Sequence, residues 1–495
     1  MTQQPNNQNL QDQNGSPSQN GEGTIQYFAA QEKVYPKAVA GRFRFYKWTA
    51  MIVCLAIYYL SPFIRWDRPG DTPDQAILID LPSRRAYFFM IEIWPQEVYY
   101  ITGILIFAAI TLFFVTSLLG RVWCGYFCFQ TVWTDLYMKV ERLVQGDRNA
   151  RMKLDKASWS FEWIWKKALT HFFWLLIGVF TAGAFVFYFN DAPTLIQDIL
   201  NLQVSSTVLA FVFGLTLSTY IMAGFAREQV CTYMCPYARF QSAMFDRETL
   251  IIGYDEKRGE PRGKKRGADN RNHLGDCVDC SLCVQVCPMG IDIRDGLQIQ
   301  CIACGLCVDA CDSVMEKVGA PKGLVRYDTE HNLELRAQGH DPELHLLRPR
   351  TVYYTILLSL VGLLMLGSLL FRPVMEIHAI HDRAPLFTRL SDGSIRNGYE
   401  IKILNKTHDE KSFALRVEGV AGARLAVKAA DGSTIDNLKV EPDSVGHFRI
   451  FMSVDKKSAV AVKGSAEITF HAVDNVTKDS DEVESVFITR AGHDL

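Results

Sequence analysis

From Asp312 to Leu495 the chain has no cysteine, although 13 cysteines precede that stretch. This uneven distribution excludes a disulfide framework spread across the whole protein. The chain also lacks a charge bias: its formal net charge is −2, so bulk electrostatics selects no partner. It carries no haem-attachment Cys-x-x-Cys-His, no glycine-rich dinucleotide fingerprint and no P-loop, which argues against a nicotinamide electron donor bound here. No cleavable signal peptide is recognised. Residues 1–24 are Gln, Asn, Ser, Gly and Pro with almost nothing apolar, so they cannot bury enough surface to fold and are predicted to form a disordered tail.

What is present is a chain of 495 residues, 48% of them hydrophobic and unevenly placed. Five stretches approach the ~20 apolar residues needed to cross a bilayer, at about 46–64, 98–119, 168–189, 204–224 and 351–371. A charge at mid-bilayer costs about 2.5–3.5 kcal/mol, so the spans are ended at Arg65, Gly120, Asp191, Arg227 and Arg372. Lys and Arg crowd 120–167 and 225–350 and are absent from 190–203, which predicts the N-terminus and the 225–350 segment inside and the C-terminus outside. Tyr87–Trp94 is too short to span and is read as re-entrant or interfacial. Val122–Val144 is read as a helix at the cytoplasmic interface, and the basic stretch 255–272 as a solvated linker near anionic lipid. No aromatic residues interleave with its charges, so nucleic acid is not expected as a partner.

Eight cysteines fall in two copies of one pattern: Cys277, Cys280, Cys283 and Cys287, then Cys301, Cys304, Cys307 and Cys311. Three thiolates two residues apart wrap one face of a cubane cluster, and the fourth reaches the other cluster. Cys277, Cys280, Cys283 and Cys311 are therefore predicted to hold one [4Fe–4S], and Cys301, Cys304, Cys307 and Cys287 the other. Zinc, which takes four ligands in two pairs, fits this doubled order poorly. Small residues at Ser281, Ala303 and Gly305 leave backbone N–H groups free to approach sulfur.

Four more cysteines form two Cys-x3-Cys pairs, Cys124/Cys128 and Cys231/Cys235, each just past an apolar run. On a helix that spacing puts both thiols on one face. The four could meet as one site for Cu(I), zinc or iron, with Met234 adding a thioether and Arg121 and Arg227 favouring thiolate. Unmetallated thiol pairs, a thiol–disulfide relay and a third iron–sulfur cluster are the other readings. Trp123, Tyr126 and Tyr233 are read as interfacial anchors, Cys54 as a packing residue and His171 as a hydrogen-bonded membrane histidine. His378 and His381 have a spacing able to hold a metal, but no third ligand is evident.

After the last span, short alternating runs appear: Tyr399–Leu404, Ser412–Val417, Arg424–Val427, His447–Val454, Ala466–His471 and Val483–Ile488, with turns at Asp392-Gly393 and Asp431-Gly432. About seven strands predict a β-sandwich of immunoglobulin type. The predicted whole is a multi-domain membrane protein. It has a disordered tail over 1–24, a four-span transmembrane region over 25–250, an inserted bacterial-ferredoxin-like 2[4Fe–4S] domain over 251–350, a fifth span over 351–371 and an immunoglobulin-like β domain over 372–495.

RVWCGYFCFQTVWTDLY (121–137), REQVCTYMCPYARFQSAMFD (227–246) and the doubled cysteine motif, followed by one span and a cysteine-free β domain, resemble the FixG/RdxA/CcoG family of cytochrome c oxidase accessory proteins. The resemblance covers residues 25–495. It implies a bacterial inner-membrane protein needed to assemble a cbb-type haem–copper oxidase, with the β domain periplasmic. It also implies a cupric reductase that hands Cu(I) on, with Cys124, Cys128, Cys231 and Cys235 as its copper-handling residues. Phe129 departs from the related motif, which often has Pro there. Partners expected on this reading are membrane lipid, copper-delivery or oxidase-assembly proteins and an electron donor; homo-oligomerisation is left open. A quinol-linked electron carrier and a non-catalytic iron–sulfur scaffold or sensor are the competing functions.

Overall fold

The computed structural model describes residues 33–68, 72–264, 274–343, 345, 347–407, 409–428, 437–455, 458 and 464–489. The predicted disordered tail and the Asp431-Gly432 turn lie outside the described residues. The chain divides into two compact units, one of residues 1–64 and 75–361, the other of 65–74 and 362–495.

The first unit opens with helix α1 (Arg42–Leu60) and a 3₁₀ turn at Ser61–Phe63. A small antiparallel meander follows: β1 (Ile77–Asp80), β2 (Arg85–Phe88) and β3 (Ile91–Ile93). This corrects the re-entrant reading of Tyr87–Trp94, which spans parts of β2 and β3. Its pairing, Leu78 with Tyr87 and Ala86 with Ile93, lets short apolar runs satisfy their backbone without crossing anything. Then come α2 (Tyr99–Leu119), α3 (Val122–Tyr126), α4 (Phe129–Gln145), α5 (Arg148–Lys156), α6 (Phe161–Val186), α7 (Ala192–Leu200) and α8 (Ser206–Ile221). The last helix runs on through a π-turn at Met222–Ala226, α9 (Arg227–Gln229) and a second π-turn at Val230–Met234.

Among the described residues, four helices are long and apolar enough to cross a membrane: Pro95–Leu119, Phe161–Val186, Ser206–Met234 and Pro349–Leu370. The predicted first span corresponds to α1, which falls short of that standard. Its first two turns carry Arg42, Arg44 and Lys47, and Arg44 and Lys47 are buried. Arg44 donates from Nη1 to both carboxylate oxygens of Asp135 of α4, at 2.9 and 3.0 Å. The carboxylate of Asp309 takes the backbone N–H of Phe43 and Arg44 at 3.2 and 2.8 Å and so caps the start of α1.

Helix α4 packs into the interior of this unit. Its acids Asp135 and Glu141 are buried and paired, Glu141 with Arg151 at 2.9 Å and with Arg227 at 2.6 Å. Tyr137 stacks on Trp174 of α6 and donates its hydroxyl to the Trp174 carbonyl at 2.8 Å. Buried carboxylates need such partners, because isolated charge in the interior costs several kcal/mol.

The rest of this unit comprises α10 (Pro236–Ala243), β4 (Leu250–Tyr254), α11 (Glu256–Gly259), α12 (Leu282–Val286), α13 (Leu306–Val318), β5 (Val325–Thr329), α14 (Glu330–Gln338) and the start of α15 (Pro349–Leu370). Strands β4 and β5 pair antiparallel and bracket both cysteine motifs. The basic stretch is folded at its start: Arg258 pairs with Asp276 at 2.6 Å and Asp255 caps α11.

The second unit holds nine described strands in two sheets. The strands are β6 (Met375–His381), β7 (Thr388–Arg389), β8 (Ile395–Asn405), β9 (Lys411–Glu418), β10 (Ala423–Lys428), β11 (Leu438–Val440), β12 (Ser444–Val454), β13 (Ser465–Asp474) and β14 (Ser480–Ile488). One sheet runs β10-β12-β8-β6 with β7 on β8, the other β11-β9-β13-β14. Alternate residues Tyr399, Ile401 and Ile403 of β8 and Ile450, Met452 and Val454 of β12 are fully buried, with Phe413, Phe470 and Phe487 from the other sheet in the same core. That alternation is what a sandwich with one wet face per sheet requires. His378 and His381 lie three apart on β6 and hence on opposite faces; His381 bonds to Asn397 at 2.8 Å. They make no metal pair.

Candidate iron–sulfur and thiol site

The two cysteine motifs fold as copies of one turn. The residues on either side of the second cysteine are left-handed in both: Asp279 and Ser281 at φ 51° and 52°, Ala303 and Gly305 at 49° and 74°. Gly305 could not be otherwise, since a Cβ there would sit 2.6 Å from the Phe43 ring. Such turns point successive N–H groups inward.

Two cavities result. Cys277, Cys280, Cys283 and Cys311 line one, beside Arg294, Tyr254 and Leu324. Cys287, Cys301, Cys304 and Cys307 line the other, beside Met289, Ile291 and Ile302, and Cys283 borders this one too. Apart from Cys283, which lines both, the cysteines divide between the cavities as the interleaved spacing does. Backbone N–H groups reach the sulfurs: Met289 and Ile291 to Cys287, Ala303 to Cys301, Val284 to Cys283 and Val325 to Cys311. Burial pushes the free thiols of Cys283 and Cys301 up to about 11 and of Cys287 and Cys311 up to about 12. A bound cation reverses that preference. Four soft donors per cavity, with amides aimed at sulfur, fit a [4Fe–4S] cluster in each. Arg294 carries no motif signal, yet it lines the first cavity and pairs with Asp279 and Asp292 at 2.7 and 2.6 Å.

The Cys-x3-Cys pairs do not lie on continuous helices. In each, the helix ends before the second cysteine, which adopts extended backbone and starts the next helix: Cys128 at φ −61°, ψ 127° and Cys235 at φ −80°, ψ 110°. Pro236 enforces the break in the second pair. Phe129 occupies the same place in the first, and the break is kept without proline. The four thiols are nevertheless electrostatic neighbours, with Cys124 feeling Cys128 and Cys235, and Cys231 feeling all three others.

Cys124 is buried in one apolar cluster with Ile302, Cys304 and Leu306, and Cys307 packs against it. It donates to Gln241 Oε1 at 3.2 Å, which also accepts Arg121 Nε at 2.9 Å. Burial raises the Cys124 thiol despite Arg121. Arg227 is engaged by Glu141 rather than by a thiol. A Cβ on Gly125 would lie 2.7 Å from the Ile302 carbonyl and 3.1 Å from Cys304 Cα, so only glycine lets α3 approach that loop. Tyr126, read as an interfacial anchor, is instead buried, because its hydroxyl is used inside. Trp123, Tyr233 and Met234 are exposed. Cys231 opens on its own cavity with Lys47, Arg227, Glu228, Pro288, Met289 and Ile302. His171 bonds through Nδ1 to the Tyr220 hydroxyl at 3.0 Å, and Cys54 is half-buried.

Paired four-cysteine cavities in a chain with membrane-length apolar helices define an iron–sulfur electron-transfer protein of the membrane. Family models match in three places: a 4Fe-4S binding domain over residues 101–148, a 4Fe-4S dicluster domain over 226–330 and an IG-like fold at the C-terminus of FixG over 365–490. The chain is 45% identical to the nitrogen fixation protein FixG of Rhizobium meliloti over 87% of its length and 88% of that protein's. It is 48% identical to protein RdxB of Cereibacter sphaeroides over 83% of its length and 87% of the relative's. Protein RdxA of the same organism is 42% identical over 87% of this chain and 91% of its own. The chain belongs to the FixG/RdxA/CcoG family.

Proposed function

We propose that this protein is an iron–sulfur oxidoreductase that reduces Cu(II) to Cu(I) at Cys124, Cys128, Cys231 and Cys235, for assembly of a cbb-type cytochrome c oxidase. The observation that supports the reading is the packing of Cys124 in one cluster with Cys304 and Cys307, which sets one of the four membrane-edge thiols against the second cysteine cavity. Cys277, Cys280, Cys283 and Cys311 would hold one [4Fe–4S] cluster and Cys287, Cys301, Cys304 and Cys307 the other, and each would supply one-electron storage. Thiolates prefer Cu(I) to Cu(II), so the four membrane-edge cysteines favour the reduced ion and retain it. Each Cu(II) takes one electron, and the Cu(I) formed passes to a copper-delivery or oxidase-assembly partner.

The proposed setting is the bacterial inner membrane, with the N-terminus and ferredoxin-like region cytoplasmic and the β domain periplasmic. The Lys and Arg in 120–167 and 225–350, against none in 190–203, support that orientation, with α1 counted as a fifth span.

The test uses anaerobically purified, cluster-loaded protein, reduced and freed of reductant. On addition of Cu(II), a chromogenic chelator should capture one Cu(I) per electron stored, and far less when the four cysteines become Ser. Protein that stays reduced beside Cu(II) would sink the proposal. A second reading has one observation in its favour: the match to a 4Fe-4S binding domain over 101–148 includes Cys124 and Cys128. On it the four thiols hold a third iron–sulfur centre. Iron and sulfide matching three clusters rather than two, with the excess lost in the four-Ser variant, would select it.

A further inference from the structure

Three cavities of the first unit share walls. Met289 and Ile302 line the cavity of Cys287, Cys301, Cys304 and Cys307, and they also line the cavity at Cys231. Arg227 and Glu228 line the Cys231 cavity, and they also line a third of about 740 Å³. That volume suits a small organic ligand, whose sites span about 300–1,000 Å³. No cysteine lines the third cavity, and neither the copper reading nor the cluster assignment uses it.

Its walls are of two kinds. Trp159, Trp163, Trp174 and Phe225 present flat aromatic faces, with Trp159 and Trp163 stacked on each other and Trp159 exposed. The same cavity is lined by charges, most of them already paired: Asp155 with Lys33 and Lys167, Glu141 with Arg227. Two acid–base groups are left over. His171 uses only Nδ1, on Tyr220, and no described residue bonds its Nε2. The Glu228 carboxylate likewise has no partner among the described residues, although its backbone carbonyl accepts Thr232. The cavity draws much of its wall from Phe161–Val186 and Ser206–Met234, both of membrane-crossing length, which favours a lipid-soluble ligand.

We propose that this cavity binds the head group of a membrane-soluble hydroquinone, the electron donor of the chain, with His171 Nε2 and the Glu228 carboxylate taking its two hydroxyl protons. The ring stacks among the tryptophans. Oxidation of the hydroquinone to quinone breaks two O–H bonds and releases two protons and two electrons. The protons go to His171 and Glu228. The electrons leave past Cys231, one for each of the two one-electron [4Fe–4S] centres that the eight cysteines would hold. This rests on the electron-transfer reading above but not on copper as the acceptor.

The test uses the full chain in lipid nanodiscs and decylubiquinone as probe. In cluster-free protein, the quinone should quench tryptophan fluorescence saturably, a readout that needs no electron transfer. Ala168→Trp, which fills the cavity without removing a polar group, should weaken that binding at least about tenfold. In cluster-loaded protein, His171→Leu should slow reduction by decylubiquinol about a hundredfold, the worth of a general base, while the quinone still binds. Both variants, reduced instead with dithionite, should form Cu(I) as the parent does. Absent saturable quenching, or quenching that Ala168→Trp leaves unchanged, overturns the proposal, as does displacement by phospholipid head group alone. Quinone binding and quinol reduction with no Cu(I) from any variant would uphold this site and remove the copper reading.

Discussion

The Tyr126 hydroxyl donates to the backbone carbonyl of Cys304 across 3.1 Å. One residue earlier, Gly125 touches the same loop through bare backbone. The membrane-edge thiol motif and a cluster-binding turn are thus held as one piece.

Loosening that junction should slow electron delivery without emptying the cavities. Tyr126→Phe removes one hydrogen bond, worth about 1 kcal/mol. Gly125→Ala forces its Cβ against backbone and should be the more damaging. Iron content near that of the parent, together with Cu(I) formation slowed in the order Phe then Ala, is the expected result. Unchanged rates in both would show that the junction carries no function.

The interleaved cavities make the fourth cysteine of each motif report on the other motif. Cys311→Ser should abolish the same paramagnetic signal as Cys277→Ser, and Cys287→Ser the same signal as Cys304→Ser. Signals sorted by motif instead of by cavity would refute the partition.

Arg294 places a cation at the wall of the first cavity. Arg294→Gln should lower the midpoint potential there by on the order of 60 mV, a tenfold change in a one-electron equilibrium. A redox titration followed by electron paramagnetic resonance would read it, and the second cavity's signal should stay in place.

The β unit should lose stability in acid through Asp474. Burial disfavours its charge, but Lys411 at 2.8 Å, the Val476 N–H and the Thr477 hydroxyl outweigh that and hold its pKa at about 2. The unfolded value is about 3.9. A depressed carboxylate pKa stabilises fully above the unfolded value, and the contribution disappears as pH falls from about 4 through about 2. Asp474→Asn should abolish that dependence and cost about 3 kcal/mol at neutral pH by stranding Lys411. Hydrogen exchange at β13 in the full chain would show both.

The parts of the structure that rest on local rules could be seen in the residues alone. Cysteine spacing is fixed by cluster size, so the grouping of the eight thiols was legible, and the alternation of Tyr399, Ile401 and Ile403 exposed a strand. What depended on distant partners was not. The break at Cys128 has no proline to announce it. The burial of Asp135 and Glu141 follows from Arg44, Arg151 and Arg227, two of them far off in sequence, so their pairing was not legible. The β1–β3 meander is made of runs too short for their period to show. Strand β6 was overlooked because its alternation is brief. Arg294 and Tyr126 owe their places to the folded loops around Cys280 and Cys304.

Asp309, which caps α1, stands two residues beyond Cys307 on the helix that the second motif begins. The first helix is therefore moored to the helix that carries Cys307 and Cys311. A change at Asp309 thus acts at once on the seating of α1 and on the helix beside the second cavity.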